Sequence, residues 1–218
     1  MEIIDFILHI GDKLEMLFAQ YGTLLYWILF FIVFAETGFV VTPFLPGDSL
    51  LFAAGMLAAN SGGVLSPWLI ILTCVAAGFL GNVVNYKIGN FIGPKIFQQE
   101  KIRFIKKEYL VKTHDFYEKH GAIAIVLGRF LPFIRTFVPF VAGIGSMNWK
   151  KFSIFNLLGA ILWVTPFTLA GFFLGKIPFV KDNFEKIMLS IIFITVLPTI
   201  IGVFNEWRKN RQQAKKID

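Results

Sequence analysis

Five charged side chains stand inside otherwise apolar stretches of the sequence, where charges are rare. One of them, Lys87, lies near the end of a span and is expected to extend its charge to the membrane surface; the other four are considered together. Two are acids, Glu36 and Asp48, and two are arginines, Arg129 and Arg135. A charge at the centre of a membrane-spanning helix costs at least ~2.5–3.5 kcal/mol, so residues of this kind usually form pairs, face water or take part in function. A structural salt bridge between the acids and the arginines is compatible with a functional role, and both interpretations are kept.

The two residue types suggest complementary chemistry. Arginine keeps its charge at physiological pH and binds phosphate through a planar, bidentate fork. A carboxyl group that is removed from water favours its protonated form, which suits proton exchange near neutral pH. We therefore predict that Arg129 and Arg135 bind the substrate, and that Glu36 and Asp48 couple its movement to protons. The substrate class that this favours is an anion with an apolar tail.

Helix-breaking residues accompany each charged pair. Pro46 and Gly47 directly precede Asp48, and Pro132 lies between the two arginines. Proline removes a helix hydrogen bond and clashes with the preceding turn, and irregular backbone at membrane depth is tolerated only inside protein or beside a water-filled cavity. The sequence therefore predicts two hairpins, with Pro46, Gly47 and Pro132 as their structural residues. Pro139 is expected to interrupt the second hairpin as well.

The composition places these segments in a membrane. Of 218 residues, 56% are hydrophobic and only 16% are charged, whereas about a quarter of an average soluble domain is charged. Apolar runs near the ~20 residues that cross a bilayer recur along the chain. The formal net charge of +7 lies outside those runs, where anionic lipid headgroups explain it better than nucleic acid does. The chain is predicted to be one integral membrane domain.

The predicted fold class is an all-α polytopic membrane protein, built as an inverted repeat of re-entrant hairpin plus transmembrane helix, with an additional C-terminal span. Phe-Leu-Pro recurs after 86 residues (132 − 46), and Gly-x-x-x-Gly recurs after 82 residues (171 − 89). Inverted repeats with broken helices are a common plan of secondary transporters. The positive-inside rule places the basic loop and the basic tail in the cytoplasm, so the second hairpin must enter and leave on that side.

The segments predicted within the single domain 1–218 follow from the positions of these apolar and basic stretches. They are an amphipathic N-terminal helix (1–21), a first re-entrant region (22–60), a span (67–93), a cytoplasmic loop (95–120), a second re-entrant hairpin (121–147), two further spans (152–175 and 187–204) and a basic cytoplasmic tail (205–218).

Other kinds of site find little support in the sequence. The single cysteine, Cys74, excludes a disulfide framework, and the three histidines are too scattered to predict a metal site. No cofactor motif and no positioned nucleophile are found, so a membrane enzyme such as a lipid phosphatase is disfavoured. Two alternatives to a proton-coupled carrier of an anion with an apolar tail stay open. One is a proton-coupled exporter of small cations or drugs that binds its solute at Glu36 and Asp48, and the other is an assembly scaffold.

Three stretches of the chain resemble the DedA family of bacterial inner-membrane proteins. They are Glu36-Thr-Gly-Phe-Val-Val-Thr-Pro-Phe-Leu-Pro-Gly-Asp-Ser49, the segment Gly81-Asn-x-x-Asn-Tyr86-x-x-Gly89, and Gly128-Arg-Phe-Leu-Pro-Phe-Ile-Arg-Thr136 followed by Ala142-Gly143. The resemblance covers nearly the whole chain, from Met1 to about Arg208, and is closest to the founding DedA branch.

This resemblance implies two re-entrant hairpins, a fold shared with eukaryotic lipid scramblases of the VTT type, and a role in moving lipids that depends on the proton motive force. Relatives are linked to undecaprenyl phosphate and to phosphatidylethanolamine. The acids and arginines that are essential in the family fall on Glu36, Asp48, Arg129 and Arg135, whereas Asn82 stands where some relatives have an acid.

The implied location is the bacterial inner membrane, with several spans and a cytoplasmic C-terminus. The expected partners are membrane lipids with anionic or phosphate headgroups and protons, with no nucleic acid and no metal. A homo-oligomer is left open.

Overall fold

The computed structural model describes residues 21–38, 47–96, 121–131, 134–183, 186–187 and 190. All regular structure in these ranges is helical. After a single turn of 3-10 helix at Gly22–Leu24, the helices are α1 (Leu25–Gly38), α2 (Gly47–Asn60), α3 (Pro67–Ile96), α4 (Ile123–Gly128), α5 (Ile134–Ile144), α6 (Trp149–Leu174) and α7 (Pro178–Asp182).

Two of these helices, α3 and α6, are long and apolar enough to cross a membrane. Each contains an apolar stretch of 26 residues, which is about 39 Å at 1.5 Å per residue and exceeds the ~30 Å hydrocarbon core of a bilayer. They agree with the spans predicted at 67–93 and 152–175. The predicted segments 1–20, 97–120 and 191–218 lie outside the described residues, so that the third span is almost wholly outside them.

The long helices α3 and α6 pack against each other and run antiparallel. Trp163 of α6 lies against Gly78 of α3, whereas Asn156 accepts a hydrogen bond of 2.9 Å from the side chain of Asn82. Higher residue numbers in one helix therefore face lower numbers in the other. Asn82 and Asn156 are both buried, so the crossing is fixed by a polar contact inside an apolar region.

Helices α1 and α2 form an antiparallel pair. The Tyr26 hydroxyl accepts a hydrogen bond of 2.9 Å from the Ser66 backbone, which places the start of α1 beside the start of α3. Helix α2 begins with Asp48 at Trp163 and ends with Asn60 at the Gly175 carbonyl, so it runs parallel to α6. The chain therefore reverses direction between α1 and α2.

A second reversal separates α4 from α5. Ala122, Tyr86 and Met147 belong to one apolar cluster, and the Tyr86 hydroxyl donates to the Met147 carbonyl, so the segment returns to the level at which it began. The expected interruption at Pro139 is wrong, because α5 continues through this residue. Proline withholds a single backbone donor, and burial of α5 against α3 offsets that loss. The helix break lies instead between Gly128 and Ile134.

The interface between α2 and α6 is unusually close because glycines lie on both sides of it. A Cβ atom at Gly55 would collide with the Thr168 carbonyl oxygen, and one at Gly171 would collide with the Phe52 carbonyl oxygen. Only residues without a side chain permit this approach of two helix backbones.

The interface between α5 and α3 repeats this arrangement. A Cβ atom at Gly143 would meet the Tyr86 carbonyl, and one at Gly89 would meet the Phe140 carbonyl. The contact glycine of α5, Gly143, follows the contact glycine of α2, Gly55, by 88 residues (143 − 55). The contact glycine of α6, Gly171, follows that of α3, Gly89, by 82 residues (171 − 89). Each second hairpin arm thus packs on the long helix of the other half of the molecule by the same reciprocal contact.

Candidate functional site

The ends of the two hairpins meet beside the central part of α3. The Asn85 amide nitrogen donates to the Thr136 carbonyl at 2.6 Å and lies 3.4 Å from the Thr37 carbonyl. Asn85 is completely buried. One side chain of α3 therefore contacts the end of α1 and the beginning of α5, which fixes the two hairpins relative to each other.

Arg135 joins the second hairpin to both arms of the first. Its Nη2 atom pairs with Oε1 of Glu36 on α1, and its Nη1 atom lies 3.4 Å from Oδ1 of Asp48 on α2. All three side chains are buried. The sequence predicts that these residues serve one site, and the structure brings them together across sequence separations of 99 and 87 residues.

Trp163 is part of the same cluster, although the sequence analysis did not select it. Its indole N–H donates to Oδ1 of Asp48 at 2.7 Å. The guanidinium carbons of Arg129 and Arg135 lie 5.8 Å and 5.6 Å from its ring centroid, within the range of cation–π attraction. The signal that could have found it is its depth, because tryptophans of membrane helices favour the ends of a span, whereas Trp163 lies near the middle of α6.

Arg129 has a different set of partners from Arg135. Its Nη2 atom donates to the Gly78 carbonyl at 3.0 Å and to Oδ1 of Asn156 at 2.7 Å. The same Asn156 oxygen accepts the bond from Asn82, and the Asn156 amide donates to the Phe79 carbonyl at 3.0 Å. Among the residues that the structure describes, no carboxylate lies within 4.0 Å of the Arg129 guanidinium.

Glycines make room for the charged groups. A Cβ atom at Gly47 would collide with the Glu36 carboxylate, and one at Gly78 would lie 3.2 Å from Nη1 of Arg129. Gly47 was predicted as a hairpin residue, and its absence of a side chain lets the start of α2 approach the end of α1. Pro46 and Pro132, the other two predicted hairpin residues, lie outside the described residues.

Several buried polar atoms of the cluster have no hydrogen-bond partner within the described part of the chain. They include one oxygen of Glu36, the amide oxygen of Asn85, the hydroxyl of Thr136 and the Nε atom of Arg129. Most buried polar atoms in proteins are paired. These atoms are concentrated around the two hairpin ends, where they could form hydrogen bonds with a polar ligand or with water.

The chemical character of this site is ionic and polar. Across residues 21–38, 47–96, 121–131 and 134–183, no group of three His, Cys, Asp or Glu side chains is arranged to hold a metal ion. Cys74 is buried and has no disulfide partner among these residues. What the cluster offers is two guanidinium groups, two carboxyl groups and a buried indole.

Comparison with known proteins gives a consistent picture. Residues 45–173 match the family model described as VTT domain. The chain is 47% identical to Protein DedA of Escherichia coli (strain K12) over 213 residues, which cover 98% of this chain and 97% of that protein. It is 43% identical to an uncharacterized membrane protein of Mycobacterium leprae (strain TN), over 84% of this chain and 82% of that protein.

A further relative is Inner membrane protein YqjA of Escherichia coli (strain K12). The identity is 35% over 190 residues, which cover 85% of this chain and 86% of that protein. No solved structure matches the chain.

Proposed function

Because the chain belongs to the DedA family of VTT-domain membrane proteins, we propose that it translocates a phosphate-bearing lipid, such as undecaprenyl phosphate or a phospholipid, across the bacterial inner membrane. The resemblance and the membrane location predicted from the sequence are confirmed. One observation supports the translocase above all. Two acids and two arginines are buried together where the ends of two hairpins meet between α3 and α6.

The membrane placement of the hairpins is part of this proposal. The described residues that flank both chain reversals, Thr37, Arg129 and Thr136, lie at the level of Gly78 to Asn85, in the middle of the apolar stretch of α3 rather than at its ends. If α3 spans the bilayer, both hairpins re-enter it and stop near the midplane. The reciprocal glycine interfaces and the antiparallel crossing of α3 and α6 support two halves of inverted orientation, an architecture typical of secondary transporters.

A lipid with its headgroup at this cluster can keep its tail in the bilayer. Leu127 and Phe130, which flank Arg129, are 41% and 47% exposed, and Leu158 and Leu162 of α6 are also exposed. Large apolar residues exposed beside a buried cation provide a surface for a hydrocarbon chain next to a site for a phosphate. This combination favours a lipid over a small hydrophilic anion.

Proton coupling follows from the ion pairs that the acids make. When Glu36 is ionised, it neutralises Arg135; when it binds a proton, the attraction between them is lost and Arg135 can pair with another anion. Asp48 has the same relation to Arg135 and is also held by Trp163. Proton uptake and headgroup binding are therefore linked through one arginine.

The chain's role as a carrier and the orientation of its basic segments complete the proposal. The chain acts as a carrier of lipid headgroups and protons and not as an enzyme. The basic segments 95–120 and 205–218 lie on the cytoplasmic side by the positive-inside rule. A homo-oligomer is compatible with the mechanism, and a single chain suffices for the site.

The test is reconstitution of the full chain in liposomes that carry a fluorescent short-chain polyprenyl monophosphate. We expect the wild type to accelerate flipping of the label relative to empty vesicles, and an imposed proton gradient to alter the rate. Glu36→Gln should be slow and insensitive to the gradient, whereas Leu80→Val, a conservative change at an exposed position of α3, should behave as wild type. Proton-driven uptake of a small cation without any lipid flipping would replace this function by the exporter alternative.

A further inference from the structure

The two arginines of the site differ in the charge of their surroundings. Arg135 contacts two carboxylates, Glu36 and Asp48. The groups that accept hydrogen bonds from the Arg129 side chain among the described residues are neutral, namely the Gly78 carbonyl and the Asn156 amide oxygen. A buried cation whose direct contacts are all neutral is costly, because neutral dipoles replace its hydration only in part.

The neutral surroundings of Arg129 depend on a pair of asparagines. Asn156 has its oxygen occupied by Arg129 and Asn82 and its nitrogen occupied by the Phe79 carbonyl, so it cannot rotate without losing a bond. Asn82 contributes the donor that fixes this orientation. Asparagine and aspartate have nearly the same shape, so a carboxylate at position 156 would lie against Arg129 and neutralise it. A carboxylate at position 82 would add a negative charge next to Asn156 and would remove the donor that orients it. The chain has amides at both positions.

We propose that Arg129 is the cation that receives the headgroup, and that Asn82 and Asn156 are positioning residues that hold it without neutralising it. This inference rests on the proposed function and refines it, because it assigns the two arginines different tasks. Arg129 binds the headgroup while Arg135 is paired with the two acids, and Arg135 becomes available to the headgroup only after Glu36 or Asp48 binds a proton. The ligand chemistry required is a phosphate-type anion with more than one acceptor oxygen, since Nη2 is held by the protein and Nε lacks a partner among the described residues.

The exposed surface beside Arg129 agrees with this assignment. Ile123, Leu127 and Phe130 of the α4 segment are 54%, 41% and 47% exposed, whereas Thr136, Phe137 and Val138, which follow Arg135 in α5, are buried. Exposed apolar side chains therefore lie next to Arg129 in the sequence and not next to Arg135, which supports Arg129 as the arginine beside a lipid tail.

The inference is tested by binding of a short-chain polyprenyl monophosphate to the purified full chain in nanodiscs, with the uncharged polyprenol as a matched ligand. Asn156→Asp should weaken binding of the phosphate by about tenfold or more, because the new carboxylate competes for the same guanidinium. Asn82→Asp should also weaken it, because it adds a negative charge near the ligand and removes the donor that orients Asn156. Binding of the polyprenol should not change. Asn90→Asp, the same substitution at an exposed position of α3, is the control and should bind as wild type.

A double-variant comparison separates positioning from a loss of folding. In an Arg129→Gln background, neither aspartate substitution should weaken phosphate binding further, whereas the loss of thermal stability that follows from breaking the Asn82–Asn156 hydrogen bond should persist in that background. The inference would be overturned if both aspartate variants bound the phosphate with wild-type affinity, or if they lost as much phosphate affinity in the Arg129→Gln background as in the wild type. The proposed function would still hold in either case, provided that the wild type flips the lipid. Absence of both binding and flipping in the wild type would overturn both.

Discussion

The two glycine interfaces and the two hairpin ends contrast within the same molecule. The α2–α6 and α3–α5 interfaces are near copies, with a Phe-x-x-Gly sequence on the hairpin helix in each case, at Phe52 and Gly55 and again at Phe140 and Gly143. The hairpin ends that these interfaces position are opposite in charge, since one carries two acids and the other carries two arginines. The two similar glycine interfaces thus hold both hairpin helices in equivalent positions, and the opposite charges of the side chains at the hairpin ends form the site.

A second departure from the repeat lies on the long helices. Trp163 of α6 follows Gly81 of α3 by 82 residues (163 − 81), the same separation that relates the interface glycines. A Cβ atom at Gly81 would collide with Thr37, so α1 packs directly on α3 there. In the other half, a full indole fills the equivalent position and contacts the charged cluster. The small residue serves packing and the large one serves the site.

The largest expected effect comes from breaking the repeated support. Gly55→Val and Gly143→Val each place a side chain against a backbone carbonyl that cannot move aside, which should destabilise the protein by more than the ~1–3 kcal/mol typical of overpacking. Because the interfaces are copies, the two variants should lose similar amounts of folded, monodisperse protein in detergent, measured by size-exclusion chromatography. Loss in one variant with normal behaviour in the other would mean that the interfaces are not equivalent.

The next effect distinguishes the two arginines by stability. Arg135→Gln leaves two buried carboxyl groups without their cation, which should cost about 3–5 kcal/mol at pH 8. Arg129→Gln removes hydrogen bonds to neutral acceptors and a cation–π contact with Trp163, and should cost about 1–3 kcal/mol. The two variants should also differ in how their thermal stability depends on pH. Unpaired buried carboxyl groups are stabilised by protonation, so lowering the pH from 8 to 5 should restore thermal stability to Arg135→Gln but not to Arg129→Gln.

This comparison has a clear contrary outcome. If both glutamine variants unfold at the same temperature at pH 8 and respond equally to acid, then the acids do not depend on Arg135 more than on Arg129. The structural difference between the two arginines would then have no energetic counterpart.

The smallest expected effect concerns the indole that marks the second departure from the repeat. Trp163→Phe keeps an aromatic ring near both guanidinium groups and loses the hydrogen bond to Asp48, which should cost about 1.5–3 kcal/mol for a bond to a charged group. Trp163→Leu should lose the cation–π attraction in addition. We expect the pH dependence of lipid flipping to shift in Trp163→Phe, since the Asp48 carboxylate then loses the indole N–H that is bonded to it. An unchanged pH profile would remove Trp163 from proton coupling and leave it a packing role.

Part of this architecture could be predicted from the sequence because charges and prolines are conspicuous in apolar segments. Glu36, Asp48, Arg129 and Arg135 were found in this way, and so were the two long helices. The pairing among them could not be predicted, since four charges of two signs allow several arrangements and only the helix crossing selects one. Pro139 was misjudged because the packing of α5 against α3, which offsets the hydrogen bond that the proline withholds, cannot be recognised from the local sequence.

The neutral residues of the site were harder to recognise. Asn85 and Asn156 are ordinary polar members of apolar helices, and nothing in their spacing shows that they contact hairpin ends or Arg129. The repeat was visible only in fragments, because Phe and Gly are so frequent in this chain that the equivalence of Gly55 with Gly143 cannot be separated from chance by sequence. Their equivalence follows from identical contacts with the opposite helix.

The central claim is that two hairpins enter the membrane from opposite faces and meet at its midplane. It is tested most directly by single cysteines, introduced into a Cys74→Ser background at Tyr21, Val64, Ile123 and Lys150, which are all exposed residues at the open ends of the hairpins. Their reaction with a membrane-impermeant maleimide is measured in intact cells and in inverted membrane vesicles. We predict that Tyr21 and Val64 positions react only from outside and that Ile123 and Lys150 positions react only from the cytoplasmic side. Reaction of the two positions of either hairpin from opposite faces would mean that this segment crosses the membrane, and the shared site at the midplane would be contradicted.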